Sequence, residues 1–305
     1  MKQVSDIRDV DLPKGIVRNQ ALPDPALGAL WDSIIVDEQI KVRLLAQAIL
    51  NFTARREVSR AVLPLHGVIL LTGGPGTGKT SLARGLAHRT AETFRGTKFR
   101  FLEVEPHSLT SSAMGKTQRA VTDLFSQSIA EVASVGPTIV LLDEVETLAA
   151  DRTKMSLEAN PIDIHRATDA VLVQLDRLAD DFSSLLFVAT SNFPEAIDQA
   201  FTSRCDLVAE IPKPDRDACA LILSDCLLGL GRTYRAIPKL LEAKDFTKCA
   251  VEAVGLDGRS IRKVVANALA SSKEIAIDPN RLSIEDLLAA IRLAKEHRVR
   301  KERHR

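Results

Sequence analysis

The run Gly73-Gly74-Pro75-Gly76-Thr77-Gly78-Lys79-Thr80 lies between an apolar stretch, Val68 to Leu71, and a helix-like stretch that begins at Ser81. Glycines at this spacing let successive backbone N–H groups turn inward around a chain of phosphates. Lys79 then reaches the outer phosphates, and the Thr80 hydroxyl is placed to ligate Mg2+. A helix that starts directly after such a loop presents its positive end to the same anion. Gly74, Pro75, Gly76, Thr77, Gly78, Lys79, Thr80 and Ser81 are therefore the expected nucleotide-binding residues, with ATP and Mg2+ as the expected ligands.

A second group stands where the apolar run Thr138 to Leu142 ends in Asp143 and Glu144. An acidic pair at a strand end is commonly a turn or a cap. Beside a phosphate loop it matches what phosphoryl transfer to water needs: Asp143 to hold the metal with Thr80, and Glu144 to act on the attacking water. Asn192, just past the run Leu185 to Ala189, can hydrogen-bond that water and the terminal phosphate. Arg204, in Phe201-Thr202-Ser203-Arg204, would ordinarily be a surface salt-bridge partner. In a ring of subunits it becomes a finger that stabilises the neighbour's transition state in trans. Arg259, in Gly258-Arg259-Ser260 at a helix start, is placed to reach the terminal phosphate from its own subunit. The backbone near Ile35 and Val36, an apolar surface just ahead of the phosphate loop, is expected to hold the adenine ring.

The elements that must carry these groups can be read from periodicity. Phe99 to Val104, Thr138 to Glu144 and Leu185 to Ala189 read as strands in addition to Val68 to Leu71. Val121, Leu124, Phe125, Ile129 and Val132 form one helical stripe, and Val42, Leu45, Ile49 and Phe52 another. Leu109 to Thr117 is polar and small, a loop. Strands alternating with amphipathic helices predict an α/β fold with a parallel sheet covered on both faces, whose functional groups gather at the carboxyl ends of the strands. Two prolines in Ile211-Pro212-Lys213-Pro214 mark a break, after which the pattern is helical only. Ile261, Val264, Val265, Ala268 and Leu269 make one stripe. Ile284, Leu287, Leu288 and Ile291 make the next, with Ser283 as N-cap. The expected organisation is an extended lead-in over 1–29, a large ATPase domain over 30–212, a small helical lid over 213–296 and a basic tail over 297–305.

Composition narrows the classes. At 305 residues with a formal net charge of +1, the chain has no overall basic field of the kind nucleic-acid binders use. Cys205, Cys219, Cys226 and Cys249 show no C-x-x-C pair and no metal spacing, so free thiols in a reducing cytoplasm are expected. Met1 to Pro13 does not read as a signal peptide, no run approaches membrane-spanning length, and no H-E-x-x-H motif is present.

In the order phosphate loop, Asp143-Glu144, Asn192, Arg204 and Arg259, the sequence resembles the AAA+ ATPases. Within them it is similar to the pachytene-checkpoint and thyroid-receptor-interactor family, on Trp31-Asp32-Ser33-Ile34, His107-Ser108-Leu109, residues 169–176, Thr190-Ser191-Asn192, residues 197–201 and Asp257-Gly258-Arg259. The resemblance implies a homo-hexameric ring that pulls an extended protein client through its pore, the client being a HORMA-domain protein opened from its closed state. It also implies pore loops at 111–117 and from Arg152 to His165. Eukaryotic members carry aromatic residues in the first, where this chain has Ala113 and Met114. With about thirty residues ahead of the ATPase core, too few for a folded adaptor domain, a bacterial type is expected, with antiphage defence as its context. Two other classes share the same ATPase parts: a DNA-directed motor or clamp loader, against which the near-neutral charge argues, and a nucleotide switch that only assembles.

Overall fold

The computed structural model describes residues 12–109, 116–149 and 161–303, and these fall into two compact units. The first comprises the chain up to Ile34, Glu38–Gly73 and Lys79–Glu210. It contains β1 (Ile16–Leu22), α1 (Pro25–Ser33), α2 (Glu38–Glu57), β2 (Val68–Thr72), α3 (Lys79–Thr93), β3 (Phe99–Val104), α4 (Lys116–Asp123), α5 (Ala130–Val135), β4 (Thr138–Leu142), α6 (Pro161–Asp181), β5 (Leu185–Ser191), α7 (Gln199–Thr202) and β6 (Leu207–Glu210). Between α4 and α5 the chain continues as a π-helical stretch, Leu124–Ile129.

These strands form one sheet in the order β1-β3-β4-β5-β2-β6. β3, β4, β5, β2 and β6 run parallel, as strands joined by helical crossovers must, while β1 pairs antiparallel with β3. Every residue of β2, β4 and β5 is buried, which is why these strands read as unbroken apolar runs. On one face Val68, Leu70, Val140, Leu142 and Phe187 pack with Val121, Phe125 and Val171. Phe187 and Phe125 stack there with ring centroids 5.8 Å apart. Elsewhere in this unit Phe52 of α2 meets Phe99 of β3 edge to face at 4.9 Å.

Two expectations need correction. The described part of the expected lead-in, residues 12–29, belongs to the folded unit, because Pro25 begins α1 and Ile16–Leu22 is the edge strand of the sheet. Its central Arg18, Asn19 and Gln20 hide it from a periodicity reading, yet an edge strand tolerates such residues, and here two of them are engaged with its neighbour. Arg18 lies 3.3 Å from Glu103, and Arg100 donates to Asn19 at 2.7 Å. The buried face of α2 is also not the expected stripe. Lys41, Leu44, Ala48, Asn51 and Phe52 face inward, whereas Val42 is 59% exposed. The Lys41 ammonium lies over the Trp31 ring at 5.6 Å, so a lysine stem occupies a place where an apolar residue was sought.

The second unit comprises Ile35–Asp37, Gly74–Gly78 and the chain from Ile211 onward. Its elements are α8 (Arg216–Gly231), α9 (Phe246–Ala253), α10 (Gly258–Leu269), α11 (Lys273–Ile277) and α12 (Ile284–Arg303). Leu223, Leu227, Ile261, Val264, Val265, Leu287 and Ile291 form its core, matching the two helical stripes read from sequence. Cys219 and Cys249 sit in that core, and burial pushes each thiol up to about 11, which leaves them protonated and unreactive at neutral pH. Among the described residues no helix is long and apolar enough to cross a membrane.

Ser283 opens α12 with a reciprocal cap. The Asp286 amide donates to the Ser283 hydroxyl at 3.2 Å, and the Ser283 amide and hydroxyl donate to the Asp286 carboxylate at 3.0 and 2.6 Å. Ser283→Ala is expected to destabilise the chain by about 1 kcal/mol. A chemical denaturation midpoint unchanged from the parent chain would contradict that role for the cap.

Candidate active site

Lys79, Thr80, Asp143, Glu144 and Asn192, all in the first unit, meet at the carboxyl ends of β2, β4 and β5. Register brings them there: Leu71 pairs with Thr190 and Leu142 with Ala189, so the next residues of β4 and β5 emerge side by side. Lys79, the first residue of α3 and buried, donates from Nζ to the Gly73 carbonyl and to Asn192 Oδ1, both at 2.8 Å. Asn192 Nδ2 donates in turn to Glu144 Oε1 at 3.1 Å. The expected phosphate-binding lysine, strand-end amide and acid thus form one chain of hydrogen bonds.

Thr80 donates to Asp143 Oδ1 at 2.8 Å. One hydroxyl and one carboxylate this close are hard oxygen donors of the kind Mg2+ accepts when most of its remaining ligands are water and phosphate oxygens. The donor set therefore fits that ion. Among the described residues there is no cluster of three or more His, Cys, Asp or Glu for a metal held by protein alone.

Glu144 has φ 55° and ψ 53°, the only positive φ at a non-glycine residue among the described residues. A left-handed residue with a side chain costs about 1–3 kcal/mol and persists only where its surroundings hold it. Besides the Asn192 bond, three contacts do so. The Glu144 amide donates to Thr190 Oγ1 at 3.1 Å, its carbonyl accepts from the Thr147 amide at 3.1 Å, and its Oε2 hydrogen-bonds His107 Nε2 at 2.8 Å. Next to it, Glu146 accepts from the Asn192 amide at 3.1 Å and so fixes the backbone from which the Asn192 side chain projects. Glu146 is not singled out by the sequence, and Thr190 and His107 enter there only within stretches that carry the family resemblance. Their signal was proximity to the two motifs, which a single sequence does not rank.

Arg204 lies at the opposite edge of the sheet. It follows α7, and β6, which starts three residues later, pairs Leu207 with Ile69 at the start of β2. Asp206 accepts from the amides of His66, Gly67 and Val68 at 2.8, 2.7 and 3.1 Å, closing the amino end of that strand. The length of β2, five residues or about 17 Å, therefore separates Arg204 from the carboxyl edge where Lys79 and Asn192 stand. Its guanidinium grips Asp176 with two bonds, 2.9 and 2.7 Å, and donates to the Ala200 carbonyl at 2.7 Å. The bonds to Arg204, above all else, hold the Asp176 carboxyl below the ordinary carboxylate range. A carboxylate depressed in this way contributes stability above its unfolded pKa and loses it as pH falls through the folded one, so the pair is fully formed at neutral pH.

The second unit carries the rest. Gly76 and Gly78 have φ 81° and 98°, and Thr77 donates from its side chain to the Gly74 carbonyl at 3.0 Å. α10 begins against this loop. The Arg259 amide donates to the Gly76 carbonyl at 3.2 Å, while Asp257 caps the helix through the Ser260 amide at 2.9 Å. The Arg259 side chain is exposed. Ile35 packs on the core of this unit with Val36 beside it, both partly buried. Lys213 brings its Cε to 3.8 Å from where a side chain on Gly74 would start, a cation beside the loop that the sequence reading passed over. Ser81 lies in the first turn of α3 and is partly buried.

The family model described as ATPase family associated with various cellular activities (AAA) matches residues 69–213. CD-NTase-associated protein 6 of Pseudomonas aeruginosa is 70% identical over 95% of this chain and 96% of its own length. A pachytene checkpoint protein 2 of Caenorhabditis elegans is 30% identical over 92% of this chain and 72% of its own. The chain belongs to the pachytene checkpoint protein 2 family of AAA ATPases. It is accordingly a nucleotide-binding ATPase. The solved structure of C. elegans PCH-2 superimposes with a TM-score of 0.73 at 26% identity, covering 93% of this chain and 76% of that one. A chain from the Escherichia coli HORMA:CdnC:Trip13 complex shares the fold, with a TM-score of 0.72 at 18% identity over 91% of this chain and 94% of that one.

In this AAA ATPase the loop glycine at 76 tolerates no side chain. Its φ is positive, and a Cβ there would fall 2.1 Å from the Asp257 carboxylate that caps α10. Gly76→Ala is expected to weaken nucleotide binding by at least about tenfold, since the loop and the α10 start must both shift. Fluorescent-nucleotide titration checks this, and an affinity within twofold of the parent would contradict it.

Proposed function

We propose that this ATPase forms a cytoplasmic hexameric ring, hydrolyses ATP with Mg2+, and uses the turnover to open a closed HORMA-domain protein by drawing it through the central pore, in bacterial antiphage defence. The single observation that carries the chemistry is the hydrogen-bonded chain Lys79–Asn192–Glu144 at one sheet edge, with Thr80 and Asp143 paired beside it.

In this reading Gly74 to Ser81 wrap the phosphates of ATP, and Ile35 and Val36 hold the adenine. Thr80 and Asp143 hold Mg2+, which when bound neutralises charge on the phosphates. Glu144 accepts the proton of the attacking water, while Asn192 orients that water and the terminal phosphate. Arg259 supplies a cation from the same subunit. Arg204, a strand's length from its own Lys79, serves the neighbour's nucleotide, where charge developing on the phosphoryl group is stabilised by a guanidinium. That position supports a ring, since the residue is of no use to the site on its own subunit.

The client assignment leans on family membership and on the company in which the E. coli Trip13 chain was solved, a HORMA protein and CdnC. The name of the Pseudomonas relative points to the same setting. The gripping segments in this reading are residues 111–117, including Ala113 and Met114, and the stretch from Arg152 to His165. Both lie mainly outside the described residues, and Met114 would offer an apolar, adaptable contact for a moving chain.

Glu144→Gln is expected to keep ATP affinity within about threefold and to lower turnover by at least about a hundredfold, the signature of an interaction made in the transition state. Arg204→Ala should do the same in the assembled protein. A HORMA-domain protein encoded alongside this chain is expected to stimulate turnover of the parent protein. Stimulation by DNA instead, strong and lost at high salt, would replace the protein client with a nucleic-acid track.

A further inference from the structure

Thr190 is buried to 1% exposure at the penultimate position of β5, and its hydroxyl is engaged twice. It donates to Asp143 Oδ1, the same oxygen that accepts from Thr80, and it accepts from the amide of Glu144 at 3.1 Å. A hydroxyl has one proton to give and lone pairs to receive, so this one group can satisfy both neighbours at once. Serine shares that capacity. Valine, which has the shape of threonine, does not.

We propose that Thr190 is a positioning residue for hydrolysis, whose hydroxyl ties the orientation of the metal-site carboxylate to the left-handed turn that aims Glu144. The inference rests on the roles given above to Asp143 and Glu144 and adds a residue that acts through both. Without the hydroxyl, Asp143 loses a donor that selects one carboxylate rotamer. The Glu144 amide, in a conformation that side-chain-bearing residues rarely adopt, loses the acceptor that anchors it. The register of β4 and β5 makes Thr190 the residue for this work, because Leu142 pairs with Ala189 and the next residues, Asp143 and Thr190, emerge side by side. Asn192, two residues further on the same chain, bonds the Glu144 side chain. The end of β5 and the residue after it therefore hold Glu144 at both ends: its backbone through Thr190 and its carboxylate through Asn192.

The test compares Thr190→Val and Thr190→Ser with the parent protein in its assembled form, reading turnover, nucleotide affinity without Mg2+, and the Mg2+ concentration that half-saturates nucleotide binding. Thr190→Val is expected to lower kcat by about thirtyfold or more and to raise the Mg2+ requirement by about tenfold, as loss of a group that orients a ligand does. Affinity measured without Mg2+ should stay within about twofold. Thr190→Ser should recover kcat to within about threefold of the parent. A Thr190→Val protein that turns over ATP within threefold of the parent, or needs no more Mg2+, overturns the proposal. So does a Thr190→Ser protein as slow as the valine variant, or an affinity without Mg2+ that falls along with kcat, because either result assigns the residue to packing. If Glu144→Gln retained turnover, the reading of Glu144 itself would fail. If Glu144→Gln is inactive while Thr190→Val is not, only the inference about Thr190 fails.

Discussion

The pairing of β4 with β5 is the constraint on which the site depends. These strands are buried on both faces and bonded in parallel register from Thr138–Leu185 to Leu142–Ala189. A slip of one residue would turn every apolar side chain to the wrong face, so the register is held by the whole core and not by the few polar residues at its end. The polar residues then inherit their positions. Asp143 and Glu144 leave one strand while Thr190 stands next to last in the other and Asn192 leaves it, close enough to hydrogen-bond without any dedicated loop. Charged and amide groups that would be costly to bury alone are satisfied because each is another's partner.

Much of this was legible because the demands of the chemistry and of the core leave separate marks in the sequence. Three buried strands announced themselves as apolar runs, and the phosphate loop and acid pair sat at the ends of two of them. The helical stripes of α10 and α12 were readable for the same reason, since residues such as Ile261 and Leu287 do nothing but pack. What escaped lay where a residue's job is set by a distant partner. β1 reads as polar because Arg18 and Asn19 answer Glu103 and Arg100 of the neighbouring strand. Lys41 turns inward because of Trp31. Thr190 looks like an ordinary strand threonine until Asp143 and the Glu144 amide are placed beside it.

The two ends of the sheet divide the work of the first unit. At the carboxyl edge Lys79 and Glu144 are linked through the neutral amide of Asn192, each by a hydrogen bond with one charged partner, and make a compact cluster. At the amino edge Asp206 ties down three successive amides, and Asp176 holds Arg204 in a two-pronged grip. Arg60 and His66 also approach Asp176, at 3.4 and 3.8 Å. Burial, with Arg60 next in weight, lowers the His66 pKa. Arg60 also binds Asp180, at 2.5 Å, so at neutral pH two arginines face the carboxylates of Asp176 and Asp180, with His66 adding little charge.

An arginine held this way is neither lost to solvent nor locked out of use. Two charge-assisted bonds to Asp176 fix the plane of the Arg204 guanidinium, yet the residue is still 24% exposed at its side chain. A planar fork keeps donors in more than one direction, so engagement with one carboxylate does not exhaust it. Fixing the group beforehand removes part of the conformational entropy that a long, loose side chain would otherwise lose on meeting a phosphate. The alternative, a free arginine at that edge, would find a phosphate in many geometries and stabilise no single one well. In the ring proposed above, stabilising a transition state requires the cation to be in place before the charge develops, and an aspartate that orients the arginine without enclosing it would satisfy that requirement.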